Sequence, residues 1–73
     1  MEELTYKSIM TDQTAFNNWL SSDNLSELVR AVEKIDTAGA QIIMGLLEQH
    51  KIGFADLSDA LQKELSFLGV SNG

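Results

Sequence analysis

Apolar residues in the middle of the chain recur with the spacing of one face of an α-helix. From Leu25 they follow one another at intervals of three and four residues, through Gly39. Because the phase does not slip, the pattern predicts one long helix from Leu25 to His50. A bend is expected near Gly39, since glycine costs about 1 kcal/mol in a helix interior. The positions of the repeat are Leu25, Leu28, Val32, Ile35, Gly39, Ile42, Leu46 and Gln49.

A break at Asp36-Thr37 is the alternative to this continuous helix. The side-chain oxygen of Thr37 can cap a helix N-terminus, and Gly39 would then lie in a turn. The unbroken repeat favours the continuous helix. It leaves the role of Asp36, a charged residue that interrupts the apolar arc, open.

A shorter helix is predicted before the long one. Thr11 or Asp12 suits its N-cap, because a side-chain oxygen there can accept a hydrogen bond from a free backbone N–H. The helix ends near Leu20, and the run Ser21–Asn24 that follows has the composition of a turn. Its apolar face is formed by Ala15, Phe16, Trp19 and Leu20.

A further helix is predicted from about Phe54–Asp56 to Leu68. Gly53 suits the left-handed position at the end of the long helix, and Gly69 suits the same position after the last one. The apolar face of this C-terminal helix carries Phe54, Leu57, Leu61, Leu65 and Leu68.

These elements predict an all-α fold. We expect a small helical bundle of one short helix, one long central helix and a C-terminal helix, in a single domain over residues 1–73. Residues 1–10 are expected to form an irregular arm, and residues 70–73 a loose tail.

The segment Ala38–Leu47 is too apolar for a helix that buries only one side. Its apolar side chains cover an arc of about 200°, roughly twice what a surface helix needs. We therefore predict that the bundle packs as a two-fold dimer or against a dedicated partner. Gly39, Ala40 and Gly45 would let another helix approach closely. The predicted interface residues are Ala40, Ile43, Met44, Leu47 and Trp19.

Trp19, the single tryptophan, has two interpretations. The preferred one is a core anchor. The other is an exposed interface residue, because tryptophan is enriched where binding energy is concentrated.

The charge balance narrows the class of partner. Eleven acids and five bases leave a net charge of −6, and Arg30 is the single arginine. Nucleic acids and anionic membranes are bound through lysine and arginine, so both are disfavoured as partners. A basic protein suits the charge better.

The expected location is the cytoplasm. Glu2 and Glu3 stand where a secretory signal would carry basic residues. The central apolar run reaches about half of the ~20 residues needed to span a bilayer.

Candidate chemistry is sparse. The chain has no cysteine and one histidine, His50, so disulfides, cysteine-based metal sites and multi-histidine sites within one chain are excluded. His50 and Lys51 are interpreted as cations beside helix carbonyls, and Asp56 and Asp59 as acids in a first helical turn. We expect no catalytic residues, no cofactor and no metal, and hence not an enzyme.

A DNA-binding helix-turn-helix is the alternative function. The predicted helix, glycine-containing turn and helix have that outline, with Phe54–Leu68 as the recognition helix. Asp56, Asp59 and Glu64 outnumber Lys63 on it, so it would repel phosphate.

The favoured hypothesis is a small acidic helical protein that acts through contacts with other proteins. It would be a regulator, inhibitor or adaptor, a type common among phage- and plasmid-encoded accessory proteins. A structural subunit of a larger assembly is the second alternative.

Overall fold

The N-terminal segment pairs with the middle of the chain. In the computed structural model, which describes residues 2–69, strand β1 (Glu3–Leu4) lies parallel to strand β2 (Lys34–Ile35). The carbonyl oxygen of Glu2 accepts two backbone hydrogen bonds, from the N–H of Glu33, just before β2, at 2.8 Å and from that of Lys34, the first residue of β2, at 3.3 Å. The expected irregular arm is therefore a strand followed by a helix.

Most of the described residues are helical, which confirms the predicted helical class, although the small β1–β2 sheet makes the term all-α inaccurate. Residues 2–69 contain five α-helices: α1 (Tyr6–Thr11), α2 (Gln13–Leu20), α3 (Leu25–Leu28), α4 (Thr37–Glu48) and α5 (Asp59–Phe67). A 3₁₀ turn, Val29–Ala31, follows α3, and a second 3₁₀ turn, Phe54–Asp56, precedes α5. The predicted tail, residues 70–73, lies outside the described residues.

The predicted long helix is wrong. α3 passes into the 3₁₀ turn, and the backbone is then extended from Val32, with φ −76° and ψ 119°, to Asp36, with φ −112° and ψ −167°. Val32 is nevertheless buried and Ile35 half-buried, so the apolar spacing continues through a segment that is not helical. The alternative, a break at Asp36-Thr37, is right about the position at which the next helix begins. However, the cap is Asp36, and Gly39 lies within α4.

Asp36 joins the start of α4 to the start of α1. Its Oδ1 accepts from the backbone N–H of Gly39 and its Oδ2 from that of Tyr6, each at 2.9 Å. These two bonds, that of Gly39 first, hold the pKa of the Asp36 carboxyl below its ordinary value of 3.8. The charged residue that interrupted the apolar arc is thus a double cap.

Gly39 is required by the close approach of β1. A Cβ at this position would overlap the carbonyl oxygen of Leu4 and lie 3.1 Å from Cβ of Ile35. A Cβ on Gly45, in the same helix, would meet no atom of the described residues within 4 Å. Gly39 therefore admits a strand of its own chain and does not bend a helix.

The core is assembled from every part of the described chain. Ser58 attaches α5 to the extended segment: its Oγ donates to the Val32 carbonyl at 2.7 Å and accepts from the Leu61 N–H at 3.1 Å, as the N-cap of α5. The largest fully buried side chains are Leu4, Val29, Val32, Ile43, Leu61 and Leu65.

Some of the predicted helix starts and ends are confirmed, and others are wrong. Asp12 caps α2, accepting from the Ala15 N–H at 3.0 Å, and α2 ends at Leu20 as predicted. Gly69 has φ 93° and closes α5 as predicted. The last helix begins at Asp59, later than expected, because residues Phe54–Asp56 form the separate 3₁₀ turn.

The left-handed residue after α4 is His50, where Gly53 was expected. His50 has φ 57°, whereas Gly53 is extended with φ −106°. The N–H of Lys51 bonds to the Leu46 carbonyl at 3.0 Å and that of His50 to the Leu47 carbonyl at 3.1 Å. This is the Schellman pattern, and histidine is among the residues that enter the left-handed region more often than most.

We expect alanine to have opposite effects on stability at the two glycines of α4. Gly39→Ala should lower the free energy of unfolding by about 1–3 kcal/mol, because a backbone carbonyl must move. Gly45→Ala should raise it by about 1 kcal/mol, because alanine is the better helix former. Urea unfolding followed by circular dichroism measures both, and equal effects would contradict the assignment.

The double cap predicts an acid-dependent contribution to stability. A folded pKa below 3.8 means that this contribution is complete above the unfolded pKa and is lost as the pH falls through the folded value. Asp36→Asn places an amide donor against one of the two N–H groups. The difference in unfolding free energy between wild type and variant should be largest at neutral pH and shrink on acidification.

Asp12→Asn is the matched control, since that carboxylate accepts one backbone N–H and asparagine is an equally good N-cap. Its stability should stay close to that of the wild type at neutral pH. A larger loss at Asp12 than at Asp36 would contradict the double-cap role.

Candidate protein-binding surfaces

Three of the five predicted interface residues lie in the core. Ile43 is 0% exposed, and Ala40 and Trp19 are buried in the same cluster. The chain itself therefore covers most of the apolar arc, which corrects the expectation that a second copy is needed to bury it. Met44 is 39% exposed and Leu47 half-buried, so these two can still contact another chain. Their interface role stays a prediction.

Trp19 is placed as a core anchor. Its ring stacks on Phe16 with centroids 6.4 Å apart and planes inclined by 18°. Its indole N–H has no hydrogen-bond partner among residues 2–69. A buried N–H without a partner costs free energy, so the apolar contacts of the ring must outweigh that cost.

Large apolar side chains are exposed on α5 and α1. At the end of α5, Phe67 is 90% exposed and Leu68 is 56% exposed; we call this pair the α5 tip. On α1, Tyr6 is 63% exposed, and Met10 lies one turn later on the same side. Neither surface was predicted from the sequence.

A sequence signal for Phe67 did exist. It lies two residues after Leu65, so at ~100° per residue it points away from the apolar face that Leu65 shares with Leu61. An aromatic residue on the polar side of a helix has no core contact to make. Leu68 was assigned to the buried face, but the helix ends at Phe67 and Leu68 follows it as the cap residue.

A shallow groove of about 290 Å³ runs beside the outer side of α4. Gly45 forms part of its floor, because it has no side chain and is half-exposed. Leu20 and Ile42 provide half-buried apolar walls, and Lys51 is the one charged residue that lines it. We call this feature the α4 groove.

A second depression, of about 510 Å³, lies beside α5. Phe54, Asp59, Gln62, Lys63 and Ser66 line it. These residues supply one acid, one base, a hydroxyl and an amide on an open surface, without a histidine to activate the hydroxyl as a nucleophile. Within residues 2–69 there is no group of three or more histidine, aspartate or glutamate side chains that could hold a metal ion.

The helix-turn-helix outline changes in the structure. The predicted recognition helix Phe54–Leu68 is divided into a 3₁₀ turn and α5, and residues 49–58 separate α4 from α5. DNA-binding motifs of this class join their helices by a turn of about three or four residues. Asp59 and Glu64 remain on α5 beside the single lysine, Lys63.

Comparisons with protein-family models, curated proteins and solved structures give no match for this chain. None of the helices in the described part of the chain is long and apolar enough to cross a membrane.

We expect aspartate to have contrasting effects on stability at the neighbouring residues Ile43 and Met44, because one is buried and the other is exposed. Ile43→Asp should unfold the protein, because a carboxylate in the core costs on the order of 4 kcal/mol, close to the whole stability of a small domain. Met44→Asp should cost about 1 kcal/mol or less, because the side chain reaches solvent. Thermal unfolding measures the difference, and a folded Ile43→Asp protein would contradict the burial of Ile43.

Proposed function

We propose that this protein binds another protein through the α5 tip and acts as a regulator, inhibitor or adaptor. The observation that supports this is the 90% exposure of Phe67. A large aromatic side chain that contributes nothing to its own core is available to fill a pocket on a partner.

The energetics favour such a contact. Fully burying a phenylalanine is worth about 1.5–3 kcal/mol, and almost none of that is gained within this chain. Leu68 adjoins it and is also exposed, so a single pocket can cover both side chains. Aromatic anchors of this kind carry a large share of binding energy when they are surrounded by contacts that exclude water.

The charge indicates the kind of partner. The chain carries −6, and Glu64 lies three residues before Phe67 on α5. A partner with an apolar pocket and a basic rim would match this surface. Opposite charges would speed the encounter, and that gain would weaken as salt is added.

The alternatives differ in what they require. A structural subunit could use the same contact, and a fixed stoichiometry in a large assembly would distinguish it. A DNA-binding role would have to use an α5 on which acids outnumber the single lysine. The absence of a catalytic role stays a prediction from the sequence. The cytoplasmic location stays a prediction.

The test identifies the proteins that wild type, Phe67→Ser and Tyr6→Ser each capture in the cells that encode this protein, and compares the amounts. Phe67→Ser should deplete the captured partner at least tenfold relative to wild type, which corresponds to about 1.4 kcal/mol. Tyr6→Ser is the matched control, because it also removes an exposed aromatic ring but on α1. It should leave capture unchanged. Quantitative mass spectrometry after cross-linking provides the measurement.

Two results would contradict the proposal. One is a partner that Phe67→Ser retains as well as the wild type does. The other is the absence of any partner that both wild type and Tyr6→Ser enrich. Both variants change exposed side chains, so their unfolding temperatures should match the wild type and exclude misfolding as the cause.

A further inference from the structure

Strand β1 lies in a slot that the middle of the chain forms. It pairs with β2 on one side, and the carbonyl of Leu4 rests on Gly39 in the first turn of α4. The side chain of Leu4 is fully buried in the core. We call the surface that receives β1, formed by residues 33–39, the strand slot.

The strand slot holds β1 mainly through backbone groups. The N–H groups of Glu33 and Lys34 donate to the Glu2 carbonyl at 2.8 Å and 3.3 Å. Further along, Oδ2 of Asp36 accepts from the Tyr6 N–H at 2.9 Å. Every extended peptide without proline presents such carbonyl and N–H groups, so these three hydrogen bonds do not depend on the side chains of β1.

Selection by side chain is concentrated at one position. Leu4 is 0% exposed, whereas Glu2 is exposed and Glu3 is half-buried. Oε1 of Glu3 lies 4.0 Å from Nζ of Lys34, and an exposed ion pair of this kind contributes little to binding. Burial of a leucine side chain contributes more. The chemistry that fits the strand slot is therefore an extended segment with one large apolar side chain.

The helix that follows β1 adds little to the attachment of this segment. α1 contains no buried side chain, and its Ile9 is only half-buried against the core. Tyr6 and Met10 on the same helix are exposed. β1 is therefore held chiefly by the strand slot. Another segment of the same chemistry can replace it without removing any fully buried side chain except Leu4.

We infer that the strand slot is a binding site for an extended segment of a partner protein, and that β1 occupies it as an intramolecular ligand. The occupant in the structure defines the partner segment, which needs a free carbonyl two residues before its apolar side chain and a free N–H two residues after it. Addition of a strand to an existing strand is a common mode of peptide recognition. The strand slot contains no residue of the α5 tip, so this site goes beyond the proposed function.

Attachment to the chain gives β1 an advantage over any separate segment. A short connection produces an effective concentration on the order of millimolar. A partner segment must therefore bind more tightly than β1, or meet a chain in which β1 is weakened. A substitution that weakens β1 makes this competition measurable.

The test uses an N-acetylated, fluorescently labelled peptide with the sequence of residues 2–11, and fluorescence anisotropy measures its binding. The receptor is the full chain with Leu4→Ser, whose own β1 no longer fills the apolar position. This variant should bind the peptide at least tenfold more tightly than the wild-type chain does, because loss of a buried leucine side chain weakens β1 by more than that factor.

Two variant peptides, tested on the same receptor, show which side chain is selected. Leu4→Ser in the peptide should weaken binding at least tenfold. Met10→Ser is the matched control, because Met10 is 49% exposed on α1. It should leave binding unchanged.

Leu4→Ser in the full chain can also unfold it, because a small domain has little stability to lose. Circular dichroism decides this case. The wild-type peptide should then restore the helical signal of the receptor, since it fills the slot on which folding depends. The Leu4→Ser peptide should not restore it.

Three results would overturn the inference. The first is a peptide that neither binds the Leu4→Ser chain nor restores its helical signal. The second is equal binding of the Leu4→Ser peptide. The third is equal binding to the wild-type chain, which would place the peptide outside the strand slot. Phe67→Ser, added to the receptor, should not change peptide binding, so a result at the α5 tip does not decide this one.

Discussion

The backbone of Leu4 lies directly against the first turn of α4, and the rest of the structure depends on this contact. Gly39 admits it, because any side chain there would overlap the Leu4 carbonyl oxygen. For β1 to reach this place, residues 33–35 must be extended and pair with it. The chain therefore leaves its helix after Ala31 and starts a new one at Thr37. Asp36 stabilises the junction by capping α4 and accepting from the first residue of α1.

This arrangement divides α4 into an inner and an outer side. Ala40, Ile43 and Leu46 are buried in the core, and no association is needed to cover them. Met44, which the sequence placed in the same apolar arc as these three residues, lies on the outer side and is exposed. The exposed apolar part of α4 is thus narrower than the sequence implied. A similar separation holds for α5, where Leu61 and Leu65 are buried and Phe67 projects outward.

The net charge of −6 affects the contact proposed for the α5 tip. The partner proposed for the α5 tip is a basic protein, and added salt would weaken its encounter with this acidic chain.

The sequence by itself was sufficient to predict features that depend on residues close together in the chain. The helix of residues 13–20, its cap at Asp12 and the closing role of Gly69 were predictable, since a cap bonds to an N–H three residues away. The helical class followed from the apolar spacing. Other features depend on contacts between residues that lie far apart in the sequence, and only the tertiary structure decided them. The pairing of β1 with β2 interrupted a heptad pattern that favoured one helix despite Asp36 and Gly39, and the Leu4 carbonyl gave Gly39 its role. The burial of Ile43 beside an exposed Met44 depends on which elements surround α4. Helical periodicity fixes only the angle between two side chains and not what covers them.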